Sequence, residues 1–303
     1  MQAFLLSMLV FCVEEELLMP LTALGLLLLA AVLHAVWNLL VKNAHQKQVF
    51  TWWALAVGAV CFAPLLLLTR TFPIQVWPLV ICSALVEAAY YITLTRAYDH
   101  GDFSLVYPMA RGTAPAFLVL WAVLFLGERP RPAGFAGLAL LVLGLVIVGG
   151  KNWWALRKTT KLSTSGVVLA LSVACCISIY SAIDGAAVRI VSPLPYTVLV
   201  ISLATIFFTP LVLLRYGHNA VVSEWRKNWL RIILVGILSF LSYMLVLVSY
   251  TIAPVSYAGA VREISIVFAA FIGWRWLRED LGLLRMVGAS VIFVGILIIA
   301  MFG

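Results

Sequence analysis

The sequence predicts an all-α integral membrane protein with ten transmembrane helices, arranged as two inverted repeats of five helices. Three observations lead to this prediction. The composition is far more apolar than that of a soluble protein, polar breaks divide the chain into apolar runs of similar length, and the same polar residues and glycines recur in both halves at a constant offset.

The composition excludes a soluble fold. The chain has 303 residues, of which 64% are hydrophobic and 11% charged, and its mean hydropathy is +1.11. Soluble domains are about half apolar and about a quarter charged, so no soluble fold could bury this apolar surface. The formal charge of +8 comes from basic residues in short loops, which orient a protein in the bilayer. It therefore indicates the lipid bilayer as a partner, not nucleic acid.

The apolar runs are long enough to cross a bilayer, which takes roughly 20 residues per helix, and the breaks between them carry charge, proline or glycine. Helices are the predicted spanning elements because lipid offers backbone groups no other partner. The ten predicted spans are 20–41, 50–69, 76–97, 103–126, 133–150, 165–189, 196–215, 229–250, 254–275 and 283–302.

Residues 1–19 precede the first predicted span. Their apolar run, 4–13, is too short to cross a membrane, and it lacks the basic start and cleavage site of a signal peptide. Two explanations remain open: an N-terminal extension, or a start codon placed too early.

Two predicted repeats, 20–150 and 165–303, carry the same pattern. Because each repeat holds an odd number of spans, the second must be inverted relative to the first. A duplicated membrane domain with a charge buried in each copy is typical of secondary transporters. The corresponding pairs are Arg111 and Arg262, Glu128 and Glu279, Gly137 and Gly288, and Gly144 and Gly295.

A motif ending the fourth span carries a resemblance to a known family. It reads LGER at 126–129 and LRED at 277–280, where Arg278 replaces the glycine. With the span count and the duplication, it resembles the drug/metabolite transporter superfamily, specifically its EamA branch. The resemblance implies a ten-helix permease of a cell (inner) membrane that exports small metabolites. More loosely, 34–38 and 101–112 resemble EamA-type proteins associated with phosphonate-utilisation genes.

Arg111 and Arg262 lie near the middle of spans four and nine, so the repeat symmetry predicts that they face one central cavity. A charge at the bilayer centre costs at least about 2.5–3.5 kcal/mol and needs a partner or a wet cavity. One hypothesis is that the pair binds an anionic substrate, because guanidinium bonds carboxylate and phosphoryl groups bidentately and stays charged. The alternative is that both arginines neutralise buried carboxylates, Glu87 and Glu263.

Three titratable residues inside the spans are candidates for proton coupling: Glu87, His34 and Asp184. Glu87 could carry a proton if it is buried without a partner, whereas a pair with Arg111 would be structural. His34 suits proton transfer near neutral pH, but a lone histidine can equally form a helix–helix hydrogen bond. Asp184 is also close enough in sequence to Arg189 for a local ion pair.

Aromatic and amide side chains complete the predicted substrate site. Gly-rich phosphate loops, zinc-ligand spacings and nucleophile elbows do not occur in the sequence, so we expect no cofactor, no metal and no enzymatic activity. The residues predicted to bind substrate are Arg111, Arg262, His34, Trp37, Asn38, Tyr91, Tyr107 and Tyr257.

The predicted function is therefore secondary transport, as an exporter, of a small organic metabolite with an anionic group, by alternating access around a midplane cavity. The alternative is a flippase for a lipid-linked or phospholipid headgroup. The orientation has two conflicting indications. The distribution of basic residues over the loops places both termini outside, whereas the family resemblance implies cytoplasmic termini.

Overall fold

The computed structural model describes residues 19–302, except 43, 69–71, 101–102, 160–163, 266 and 269–282. Every regular element in these ranges is helical, as expected where lipid replaces water around the backbone. Two short 3₁₀ segments, Ala63–Leu68 and Ile74–Val76, follow the second helix. The helices are α1 (Leu21–Lys42), α2 (Lys47–Phe62), α3 (Trp77–His100), α4 (Phe103–Leu126), α5 (Pro132–Thr159), α6 (Thr164–Ala187), α7 (Pro193–Ser249), α8 (Val255–Arg262) and α9 (Leu283–Phe302).

Five of the described helical stretches are long and apolar enough to cross a membrane, and three shorter apolar stretches accompany them. Large apolar side chains such as Leu67 and Leu214 remain 88% exposed, as expected for a surface in contact with lipid. The chain is therefore a helical membrane protein. The predicted extension at 1–19 lies outside the described residues, apart from the buried Met19.

Helix α7 combines the predicted seventh and eighth spans. Two residues inside it have non-helical backbone angles: Gly217, with φ 72° and ψ 164°, and Asn228, with φ −129° and ψ 15°. The positive φ at position 217 is readily adopted only by glycine. Two long segments, 193–216 and 229–249, are therefore joined through the short segment 218–227.

The predicted ninth span is interrupted in its middle. Helix α8 ends at Arg262, and Glu263 and Ile264 form a turn whose amides donate three residues back, to the carbonyls of Ala260 and Val261. Such a 3₁₀ turn inside a helix often marks a functional hinge. The span was predicted to continue to 275, and 269–275 lie outside the described residues.

Glycines bring α5 and α9 into backbone contact. A Cβ added to Gly137 would lie 2.8 Å from the carbonyl oxygen of Gly295, and one added to Gly144 would lie 2.8 Å from that of Gly288. Because the later residue of α5 meets the earlier residue of α9, the two helices run antiparallel. This contact holds the two halves against each other.

Candidate functional site

A cavity of about 50 Å³ lies where seven helices, α1 to α4 and α6 to α8, meet. Its walls combine charged groups with tyrosine and tryptophan rings. Five of the predicted substrate or coupling side chains on the first four helices contribute to it: His34, Trp37, Glu87, Tyr91 and Arg111. Arg262 comes from the last turn of α8, so both arginines reach the same cavity.

The two arginines share one carboxylate. Nη1 of Arg111 donates to both oxygens of Glu263, at 3.2 and 3.3 Å. Nη2 of Arg262 donates to Oε1 of the same residue at 3.3 Å, and its Nη1 lies 3.5 Å from the hydroxyl of Ser181. All three charged side chains are buried, with exposures of 4%, 6% and 0%. Within the described part of the chain, the observed ion pairs of this cluster therefore join two guanidinium groups to the carboxylate of Glu263.

One nitrogen of Arg262 has no partner among the described residues. Its Nε–H is buried and donates to no acceptor in that part of the chain. A buried polar group without a partner costs about 1–3 kcal/mol, and more when it is charged. The excess cation and this free donor make the cluster suited to an added anion.

Glu87 is not the counter-ion of either arginine. Glu87 is 5% exposed and forms part of the wall of the cavity. Oε2 has no hydrogen-bond partner among the described residues, and within the same residues both arginines form ion pairs with Glu263. Of the two carboxylates considered from the sequence, Glu263, which follows Arg262 in the chain, forms ion pairs with both guanidinium groups.

The first helix contributes an acceptor and an aromatic ring. Nη2 of Arg111 donates to Nε2 of His34, so this imidazole nitrogen carries no proton in the observed arrangement. The ring of Trp37 stands edge-on to the imidazole, with centroids 4.8 Å apart, and its Nε1–H is buried and unpartnered within the described ranges. His34 and Trp37 both line the cavity.

Four tyrosines form a continuous aromatic wall. Tyr90 meets Tyr91 and Tyr180 edge to face, at 5.0 and 5.9 Å between centroids, and Tyr180 meets Tyr243 at 6.5 Å. Edge-to-face packing is the favoured geometry for such rings. Of these four, only Tyr91 was predicted from the sequence to bind substrate. A signal for Tyr180 was its spacing of four residues from Asp184 on one helix face.

Asp184 lies behind this wall and binds three hydroxyl groups. Oδ1 accepts from Ser83 and from Tyr196 at 2.8 Å, and Oδ2 accepts from Tyr243 at 2.6 Å. Arg189, the partner suggested by sequence proximity, bonds instead to the Leu126 carbonyl and to Glu128, because α6 ends at Ala187 and Arg189 follows in the turn. The carboxylate thus holds the phenol of Tyr243 at the cavity wall.

Three predicted site residues have other surroundings. Nδ2 of Asn38 donates to the His34 carbonyl on its own helix. Tyr257 lies in the first turn of α8, and its hydroxyl accepts from the backbone amide of Arg131. Its side chain does not line the cavity described above. Tyr107 belongs to α4, but its side chain lies outside the described residues.

The motif glutamate Glu128 caps α8. Its carboxylate accepts from the amides of Val255 and Ser256, at 2.6 and 3.1 Å, and from the Ser256 hydroxyl at 2.6 Å. Arg189 approaches it at 3.5 Å. A carboxylate at a helix N-terminus satisfies amides that lack intrahelical partners and interacts favourably with the helix dipole. The motif of the first half therefore positions the helix that carries Arg262.

Comparison with known proteins identifies the family. The profile of the EamA-like transporter family matches residues 21–150 and 164–301, most of both halves. The chain belongs to the EamA-like transporter family. The resemblance inferred from the LGER motif and the duplication is thereby confirmed, within the drug/metabolite transporter superfamily.

Two curated relatives and one solved structure extend this result. The chain is 26% identical over 284 residues to the pseudopaline exporter CntI of Pseudomonas aeruginosa strain PAO1, covering 89% of this chain and 92% of the relative. The same values hold for the pseudopaline exporter CntI of strain UCBPP-PA14. A crystal structure with 19% identity has a TM-score of 0.71 over 92% of this chain and 96% of that chain, which shows a shared fold.

Proposed function

We propose that this EamA-like transporter is an inner-membrane secondary transporter that exports a small organic metabolite carrying an anionic group. The observation that carries this proposal is the buried cluster of two guanidinium groups on one carboxylate, Glu263. A substrate carboxylate, phosphate or phosphonate would supply the missing negative charge and accept from the free Nε of Arg262. The pseudopaline exporters supply the direction of transport by analogy.

Alternating access between two inverted five-helix repeats is the proposed mechanism. The contacts of α5 and α9 support it. Under the repeat correspondence, Gly137 exchanges with Gly288 and Gly144 with Gly295, so the contact of 137 with 295 becomes the contact of 144 with 288. A two-fold axis in the membrane plane requires this exchange. The break after Arg262 supplies a hinge at the site itself.

Glu87, His34 and Asp184 are the three candidates for proton coupling, and one of them would carry the proton that drives transport. His34 accepts a hydrogen bond from Arg111, so protonation of Nε2 would break that bond and bring two cations together. Release of the substrate anion and uptake of a proton would thus affect the same guanidinium. Asp184 reaches the cavity through the Tyr243 hydroxyl.

The test is anion binding by arginine variants of the purified protein in lipid nanodiscs. A panel of organic carboxylates and phosphonates is screened, and affinities of the hits are measured for Arg111→Gln and Arg262→Gln. Each single variant leaves Glu263 with one guanidinium, so we expect both to fold. Loss of a charge-assisted bond should weaken binding about ten- to hundredfold. Arg215→Gln, whose guanidinium lies over the Tyr216 ring away from the cavity, is the matched control.

Two results would contradict the proposal: hits whose affinity is the same in Arg111→Gln, Arg262→Gln and the control, or a panel in which no anion binds the wild type. The double variant Arg111→Gln/Arg262→Gln leaves a buried carboxylate unpaired, so it should fail to fold. A stable double variant would mean that Glu263 has another counter-ion.

A further inference from the structure

We propose that the transported metabolite is zwitterionic, and that its cationic group binds to the Glu87 carboxylate beside the tyrosine wall. This inference rests on the proposed function, since the anionic end of the same molecule would occupy the arginine cluster. It adds a second recognition element, and it assigns Glu87 to binding the substrate.

The first argument is the unsatisfied carboxylate. Glu87 is 5% exposed and lines the cavity, and its Oε2 has no hydrogen-bond partner among the residues described. A buried ionised carboxylate is very costly unless a cation or several donors compensate it. Arg111 donates to Glu263 and His34, and Arg262 donates to Glu263. A cation brought by the ligand would compensate the charge of Glu87.

The second argument is the sign of the neighbouring charge. Asp184 is near enough to Glu87 for the two carboxylates to interact electrostatically. Its own donors are three neutral hydroxyl groups. This side of the cavity therefore has two acids, while the side formed by α4 and α8 has a guanidinium in excess. A ligand with both charges complements both sides, whereas a simple anion would add a further negative charge near Glu87.

The third argument is the aromatic wall. Tyr90 and Tyr91 follow Glu87 by three and four residues on the same helix, and with Tyr180 and Tyr243 they line the same cavity. Tyrosine faces attract ammonium groups, most strongly where water is excluded. A carboxylate surrounded by tyrosine rings is a suitable site for a primary or substituted ammonium. The dimensions of the cavity, about 50 Å³ in this state, favour a compact ligand in which the two charges are close together.

The experiment uses matched sets of three compounds and the full-length protein in nanodiscs. Each set contains a standard amino acid, the same acid without its amino group, and the same amine without its carboxyl group. Affinities are measured for the wild type, Glu87→Gln and Glu87→Asp. Glu224→Gln is the control, because Glu224 is equally buried but bonds Asn228 in the short segment of α7, outside the cavity.

We expect the amino acids that bind to do so about ten- to hundredfold more tightly than their desamino partners, because one charge-assisted bond is lost. Glu87→Gln should abolish this preference, Glu87→Asp should reduce it without removing it, and the Glu224→Gln control should keep it in full. If desamino acids bind as tightly as amino acids, or if the preference survives Glu87→Gln, the zwitterion proposal is overturned. Binding of desamino acids that still depends on Arg111 would leave the proposed function intact.

Two further outcomes separate the alternatives. If Glu87→Gln keeps the preference but loses transport driven by a pH gradient, Glu87 carries a proton and does not bind substrate, and the proposal fails. If only amines bind, and Arg111→Gln has no effect, both this inference and the proposed function fail. If Glu87→Gln does not fold, Glu87→Asp takes its place in the comparison. Shortening the side chain should then reduce the preference without removing it, and an unchanged preference would contradict the proposal.

Discussion

Replacement of Glu128 by alanine should loosen the helix that carries Arg262. The substitution removes the acceptor of the Val255 and Ser256 amides and of the Ser256 hydroxyl, three bonds between 2.6 and 3.1 Å. The first turn of α8 then depends on water for its free amides. Because α8 has only eight residues, a change at its start is transmitted to its last turn, where Arg262 lies.

The size of the effect follows from these contacts. Loss of a helix cap costs about 0.5–2 kcal/mol, and the lost hydroxyl bond adds about 1 kcal/mol. We therefore expect the free energy of unfolding to fall by about 1.5–3 kcal/mol in Glu128→Ala. The ion pair with Arg189 adds little, because that side chain is 46% exposed and such pairs contribute about 0–1 kcal/mol.

The assay is thermal or detergent-induced unfolding, with anion affinity measured on the same samples. Glu128→Ala should lower the unfolding midpoint by several degrees and weaken anion binding. Glu128→Gln, which keeps one acceptor oxygen, should be intermediate, and Arg189→Ala should resemble the wild type. The reasoning is refuted if Glu128→Ala unfolds at the wild-type midpoint, or if Arg189→Ala is as destabilised as Glu128→Ala.

Two further predictions concern the helix contact and the coupling residues. Gly144→Ala should cost about 1–3 kcal/mol of stability, since its Cβ would lie 2.8 Å from the Gly288 carbonyl oxygen. Gly25→Ala is the control and should be near neutral, because its Cβ would meet no atom within 4 Å. Equal unfolding midpoints for the two variants would contradict the close contact. In vesicles, His34→Gln or Asp184→Asn should lose uptake driven by a pH gradient and keep counterflow exchange, if that residue couples protons. Full gradient-driven uptake in both would exclude coupling through them.

The helices could be predicted from the sequence because their boundaries are set locally. Apolar runs bounded by glycine, proline or charge reproduce most described helices within a few residues, and the break at Gly217 was predicted from the polar stretch that it begins. Helix α5 extends past the predicted end at 150, since 151–159 contain neither glycine nor proline. The interruption at Glu263 was missed because no helix-breaking residue marks it.

The partners of the buried charges could not be predicted, because they depend on packing between distant helices. The repeat offset predicted that Arg111 and Arg262 would share a cavity, but Glu87 and Glu263 were equally plausible counter-ions by sequence. Tyr257 was selected as a deep aromatic residue, yet only two residues separate it from Pro254, which precedes α8. Its hydroxyl accepts from the loop before α5.

The arginine cluster is asymmetric with respect to the two repeats, because only the second repeat supplies an acid. Under the repeat correspondence, the residue equivalent to Glu263 is Gly112, which has no side chain to act as an acid. A symmetric pair of repeats would bring two arginines and two carboxylates together, and the cluster would be neutral without a ligand. Because the first repeat lacks its acid, Arg111 and Arg262 must share one carboxylate across the interface of the two halves. An anion that binds both guanidinium groups would therefore take the place of the missing acid. Its release would leave Arg111 and Arg262 bridged by Glu263.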